Sequence, residues 1–161
     1  MPYNRKNAIE YAHKWAYSRN PNYLNFDNLG GDCTNFISQC LFAGCQKMNY
    51  TNTFGWYYRN GNDKAPAWTG VNQFHKFMVN NKGPGPYGAE IAPENLEIGD
   101  IIQLSFNGNT YGHSTIVVQL KDQTHTLDNI LVATHTMDND YRPLSSYNFQ
   151  KIRFIHILGV R

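Results

Sequence analysis

The run Gly83-Pro84-Gly85-Pro86 divides this chain into two parts with different hydrophobic periods. Its two prolines lack the N–H that a helix interior or inner strand needs, so neither element crosses the break. Before it, apolar residues recur at helical spacing. Ala8, Tyr11, Ala12 and Trp15 mark a helix within Asn4–Ser18, which Asn20-Pro21 stops. Phe36, Ile37, Cys40 and Leu41 mark a second, Cys33–Ala43, with Asp32 as N-cap and Gly44 at C′. Val71, Phe74, Phe77 and Met78 mark a third, Val71–Asn80. Pro21–Gly31 reads as a loop, and Asn49–Trp68 as an aromatic stretch full of turn residues.

Beyond the break the period shortens. Ile101–Phe106, Tyr111–Leu120, Ile130–His135 and Lys151–Val160 read as strands, with Asn107-Gly108 as a hairpin turn. Helices followed by antiparallel strands predict an α+β domain, its N-terminal helices packed on an antiparallel β-sheet. The 161 residues suit one domain, 1–161.

Net charge is +2 with no Lys/Arg cluster, which argues against nucleic acid as a partner. No run of about 18 apolar residues is present, so no membrane insertion is expected. Met1–Glu10 lacks a basic-then-apolar leader, so the expectation is cytoplasmic synthesis, another route of release, or excision from a longer chain.

The three cysteines, Cys33, Cys40 and Cys45, fall within thirteen residues. On a helix Cys33 and Cys40 lie about 10.5 Å apart along the axis, beyond the roughly 7 Å limit for a disulfide. The C-x6-C-x4-C spacing does not suit zinc, and no metal site is expected. At least one free thiol therefore needs a purpose. Cys33 follows Asp32 at a helix start, where the helix dipole and free N–H groups favour thiolate and could hold an oxyanion. The alternative is a small core residue beginning an apolar stripe.

A thiol nucleophile needs a base, and the base an orienter. Of six histidines, His113 stands at the mouth of the Ser114–Val118 strand. If the following hairpin turns about Thr124, paired positions sum to 248, which sets His135 across from His113 as orienter. Asp138 and Asn139, just beyond, compete for that role.

These residues carry a resemblance. The helix Tyr3-Asn4-Arg5…Ala8…Tyr11-Ala12…Trp15, the block Gly30-Gly31-Asp32-Cys33-Thr34-Asn35-Phe36-Ile37-Ser38-Gln39, Trp68, Gly99-Asp100-Ile101-Ile102, Gly112–Val117 and Thr134–Asp138 are similar, in order, to the putative amidase domain family. The resemblance implies a papain-like cysteine peptidase fold related to the CHAP amidases and peptidoglycan endopeptidases. It implies Cys33 as nucleophile, His113 as base and His135 as orienter, with Asp32 and Tyr23 supporting the oxyanion. Trp56 and Trp68 are candidates for binding sugar or peptide.

The implied activity is acyl transfer to water without a metal or organic cofactor, by a cell-wall hydrolase of endolysin type acting at the bacterial cell wall. The implied partner is peptidoglycan, met by a domain expected to be a monomer, secreted or phage-released. The favoured bond is that of an N-acetylmuramoyl-L-alanine amidase. The alternatives are a peptidoglycan endopeptidase, an acyltransferase or transglutaminase-like enzyme, and a non-catalytic wall-binding module.

Overall fold

A computed structural model describes all 161 residues. Helices α1 (Arg5–Trp15) and α2 (Cys33–Cys45) come first, then a short hairpin of β1 (Tyr58–Asn60) and β2 (Asp63–Lys64). Helices α3 (Pro66–Thr69) and α4 (Val71–Asn80) lead into β3 (Pro86–Ile91), β4 (Ile101–Ser105), β5 (His113–Leu120), β6 (Ile130–Thr134), β7 (Asn139–Pro143) and β8 (Lys151–Val160). The last six strands form one antiparallel sheet in the order β3-β8-β4-β5-β6-β7. The expected α+β architecture is present, with α1, α2 and α4 against one face.

Side-chain alternation separates two cores. Ile101, Ile116, Val118, Leu131, Ala133, Ile155 and Ile157 face the helices, where Phe36, Ile37, Leu41, Phe74 and Met78 meet them. Ile102, Leu104, Val117, Ile130, Val132 and Phe154 face the other way, under Leu96 and Leu144. The second layer has no helix longer than one turn. Its cover comes from loop residues, which the sequence pattern did not flag.

The short β1–β2 hairpin and two strands of the main sheet were missing from the sequence reading, and those two are the edges of that sheet. β3 begins at Pro86, where a missing N–H is tolerated because only β8 lies beside it. β7 is short, polar and bordered by turns, so it carries no alternating signal. Helix α2 runs two residues past Ala43, so Gly44 lies inside it and Gln46 takes the left-handed cap at φ 54°. Gly44 is glycine for a different reason. A Cβ there would stand 2.5 Å from Tyr3 Cε1 and 2.7 Å from the Asn4 carbonyl oxygen.

That close approach belongs to an anchor for α1. Asn4 caps the helix by accepting from the Asn7 N–H, and Tyr3 donates to the Gly99 carbonyl. Arg5 pairs with the fully buried Asp100 at 2.7 Å and donates to the Ile157 carbonyl. Asp100 also faces His156 Nδ1 at 2.8 Å and accepts from the Ile157 and Glu97 N–H groups. A buried carboxylate with four partners avoids the cost of an unpaired charge. The Tyr3-Asn4-Arg5 and Gly99-Asp100 motifs are thus two halves of one joint between α1 and the sheet.

Replacing Gly44 with Ala should lower stability by about 1–3 kcal/mol, since backbone as well as a ring must shift. Urea denaturation tests this, and an unchanged midpoint would show that the joint gives freely.

Candidate functional site

The segment Asp32–Gln39 sends successive side chains to different parts of the molecule. Asp32 turns back, accepting from the Phe26 N–H and the Asn35 amide. Its other oxygen faces His135 Nδ1 at 2.5 Å. Asn35 also accepts from the Trp68 indole at 3.0 Å. Phe36 stacks on the His135 ring with centroids 4.0 Å apart. Ser38 accepts from the Trp56 indole and donates to the Trp68 carbonyl. Gln39 accepts from the Tyr11 hydroxyl. Cys33 and Thr34 meet Ser114 at the start of β5.

Their surroundings form a hydrogen-bond chain. Arg153 Nε donates to Gln103 Oε1 at 2.8 Å, so the Gln103 amide nitrogen is left to donate. It gives to the Val71 carbonyl and to Ser114 Oγ at 3.1 Å. Ser114 in turn meets Thr34 Oγ1 at 2.9 Å, and Thr34 Oγ1 lies 3.8 Å from Cys33 Sγ. Because guanidinium only donates, Gln103 is fixed as the donor to Ser114. Ser114 and Thr34 are then joined through their hydroxyls, and the Thr34 hydroxyl lies against the sulfur.

Cys33 is 7% exposed. Burial pushes its thiol above the usual value, against the lowering effect of the Ser114 and Thr34 groups that face it. This corrects the expectation that the helix start favours thiolate at Cys33, because desolvation of the charged form outweighs it. Cys40 and Cys45 are also buried and raised, Cys45 to about 11.

His113 precedes Ser114 at the start of β5. Its Nε2 is buried with no hydrogen-bond partner. Burial first, and then the charge of Arg142, bring its pKa down to about 4. The ring is flanked by Phe106 at 6.0 Å and Tyr147 at 5.7 Å between centroids. Tyr147 also lies close enough to Cys33 to feel its charge, and its own buried hydroxyl has no well-formed hydrogen bond. Thus a thiol, an unpartnered imidazole nitrogen and an unpartnered phenol gather at one end of β5. The sequence reading missed Tyr147, which follows β7 in a polar stretch with no motif around it.

The expected orienter is not there. Ile116 pairs with Ala133 and Val117 with Val132, a sum of 249, and a bulge follows. At that register His135 stands across from Ser114 and His113 across from Thr136. A slip of one residue moves a side chain to the opposite face, so His135 lies among the helices. Its two ring nitrogens are taken by Asp32 and the Trp15 carbonyl. Asp138 is held by Arg19 through two contacts of 2.9 Å, and Asn139 donates to the Met137 carbonyl. None of the three candidates reaches His113, whose visible supports are aromatic rings.

Other expectations also change. Trp56 and Trp68 are fully buried and pack against each other, so they are core rings with no face left for a ligand. Tyr23 stacks on Trp68 and lies against Tyr58, while the tyrosine beside the thiol and imidazole is Tyr147. Asp32 supports the start of α2, although it forms no side-chain cap on the helix N–H groups. A cavity of about 700 Å³ is lined by Asn49, Phe54, Gln73 and Phe77 among others and by neither Cys33 nor His113. No group of three or more His, Cys, Asp or Glu residues is placed to hold a metal ion.

The fold is an α+β domain in which Cys33 and His113 are both buried near the start of β5. The chain belongs to the putative amidase domain family, whose family model matches residues 2–158. It is 35% identical over 118 residues to the uncharacterized protein YhbB of Bacillus subtilis, covering 72% of this chain and 37% of that protein. It is 26% identical over 100 residues to the uncharacterized protein YjcM of the same organism, covering 62% of this chain and 22% of that one. The chain thus spans well under half the length of these relatives. No solved structure matches it.

Two measurements probe the pair. Replacing Thr34 with Val removes the hydroxyl that faces the sulfur but keeps its shape. A hydrogen bond to a charged group is worth about 1.5–3 kcal/mol, so the thiol pKa should rise by roughly one to two units. The pH dependence of alkylation at Cys33 reads this, and no rise would mean that the hydroxyl points elsewhere.

His113 is neutral when folded down to about pH 4, whereas the unfolded imidazole takes a proton near 6.5. Its contribution to stability is present above pH 6.5 and is lost as pH falls toward 4, by about 3 kcal/mol in all. His113→Gln should therefore flatten the fall in urea midpoint between pH 7 and pH 4.5. An identical slope in both proteins would contradict the burial of a neutral ring.

Proposed function

We propose that this chain is a cysteine-dependent hydrolase of peptidoglycan, cutting the amide between the lactyl group of N-acetylmuramic acid and the first L-alanine of the stem peptide. The observation that carries the reading is the hydroxyl chain that reaches the Cys33 sulfur, with the unpartnered His113 nitrogen at the same end of β5. Membership of the putative amidase domain family supplies the reaction class. A papain-like relationship to the CHAP amidases is part of the same reading.

The resting pair is a neutral thiol and a neutral imidazole. Attack on the amide carbonyl is therefore coupled to proton movement from sulfur to His113, with Thr34 stabilising the charge that develops on sulfur. The Cys33–carbon bond forms and the carbonyl oxygen becomes an oxyanion beside the first N–H groups of α2. His113 then returns the proton to the departing amine, leaving a thioester. Water deprotonated by His113 adds to the thioester, and collapse releases the acid and the thiol. Asp32 and His135 hold the start of α2 without touching the substrate. The domain acts as a monomer at the bacterial wall, secreted or phage-released, in the manner of a bacteriolytic endolysin, and needs no cofactor.

Digestion of purified peptidoglycan followed by mass spectrometry tests the proposal. New alanine N-termini are expected, with none from Cys33→Ala of unchanged circular dichroism and no loss of activity in EDTA. New N-termini confined to a diamino acid or cross-bridge residue would make the enzyme an endopeptidase. Full activity in Cys33→Ala would remove the cysteine mechanism.

A further inference from the structure

Arg5, Arg19 and Arg59 each pair with a carboxylate. Arg142 does not. It is half-buried on the edge strand β7, and its guanidinium lies 3.7 Å over the Tyr147 ring. Two bonds fix it further, Nε to the Ser146 hydroxyl at 2.7 Å and Nη2 to the Ser146 carbonyl at 3.2 Å. Its Nη1 has no protein partner. Tyr147 places this charge beside His113 and Cys33. The neighbouring Tyr147 hydroxyl is buried, with the Arg142 guanidinium as its polar neighbour and no other partner.

A fixed cation at this spot burdens the proposed base, since its charge disfavours the imidazolium that the reaction must form. That disadvantage disappears when an anion binds it. Immobilised by stacking and by Ser146, the guanidinium loses little freedom on gaining a ligand, and its planar face of donors suits a carboxylate.

We infer that Arg142 is a specificity-determining residue that receives a carboxylate of the substrate peptide next to the scissile amide. The inference rests on the hydrolase reading and adds the substrate class: acidic wall peptides with free carboxylates, in preference to those whose carboxylates are amidated. A bound carboxylate also neutralises the guanidinium as His113 takes up its proton, so the preferred substrate helps the base that acts on it.

The test compares N-acetylmuramoyl-L-alanyl-D-glutamic acid with the same compound carrying both carboxyl groups as primary amides. Calorimetric binding to Cys33→Ala protein should favour the acid by about 10- to 100-fold. Adding Arg142→Gln should abolish the preference, and Arg142→Lys should keep part of it. Equal binding of the two compounds, or a preference that survives Arg142→Gln, overturns the inference. Hydrolysis by the unmodified protein separates the two claims. Cleavage of both compounds at equal rates defeats the carboxylate site and leaves the hydrolase reading intact. Discrimination in binding with no cleavage of either leaves the carboxylate site and defeats that reading.

Discussion

The geometry of the site depends on the buried carboxylate of Asp32. Burial alone would push its pKa up, but hydrogen bonds from His135, the Phe26 N–H and Asn35 outweigh that and hold it below the usual value. The charged carboxylate ties three separate pieces of chain: the loop before α2, the first turn of α2 and the end of β6. Arg19 stands 3.5 Å away and extends the network to Asp27 and Asp138. Removing one partner of a buried pair typically costs 3–5 kcal/mol because the other charge is stranded. The position of Cys33, one residue along, is set by that cost and not by contacts of its own.

Much of the fold was legible because periodicity survives where elements are long and one-sided. Val71–Asn80 and Lys151–Val160 have the bounds expected from their apolar spacing. Legibility failed where neighbours decide. β7 is polar because it is an edge, and β3 starts at a proline that an edge can accept. The β5–β6 register could not be read from a turn midpoint, because the loop holds a one-turn 3₁₀ helix at Lys121–Gln123 with Asp122 and Gln123 at positive φ. That irregularity and the bulge after Val117 changed the sum from 248 and carried His135 to the other face. Trp56 and Trp68 misled for a related reason. An aromatic residue in a turn-rich stretch looks like a surface for ligands until its indole is seen donating to Ser38 or Asn35.

The electrostatics of the cysteine–histidine pair were equally hidden. A helix start favours thiolate locally, and the effect decays within a turn. Desolvation acts on the whole group and here dominates both partners, raising the thiol and lowering the imidazole. Two opposite shifts that keep both groups uncharged describe a site that stores no ion pair before substrate arrives. In the proposed mechanism, charge separation is deferred to the moment of attack, when the Thr34 hydroxyl, the α2 N–H groups and the anion proposed at Arg142 would each stabilise it. Burial thus works against a resting thiolate while strengthening every interaction made once the charges appear.

This arrangement explains why the block from Asp32 to Gln39 reads so densely. Asp32 belongs to the loop and β6, Asn35 and Ser38 to the tryptophans, Phe36 to His135 and Gln39 to Tyr11. Among these structural residues Cys33 and Thr34 meet Ser114 of β5, and Thr34 is tied to it in a chain that starts at Arg153. In the proposed mechanism, chemistry occupies two consecutive positions in a segment otherwise consumed by folding. A change at Asn35 or Ser38 would then act on activity through the helix it loosens, whereas a change at Thr34 would act on the sulfur. The boundary between stability and function runs between adjacent residues of one helical turn, and the direction of each side chain draws it.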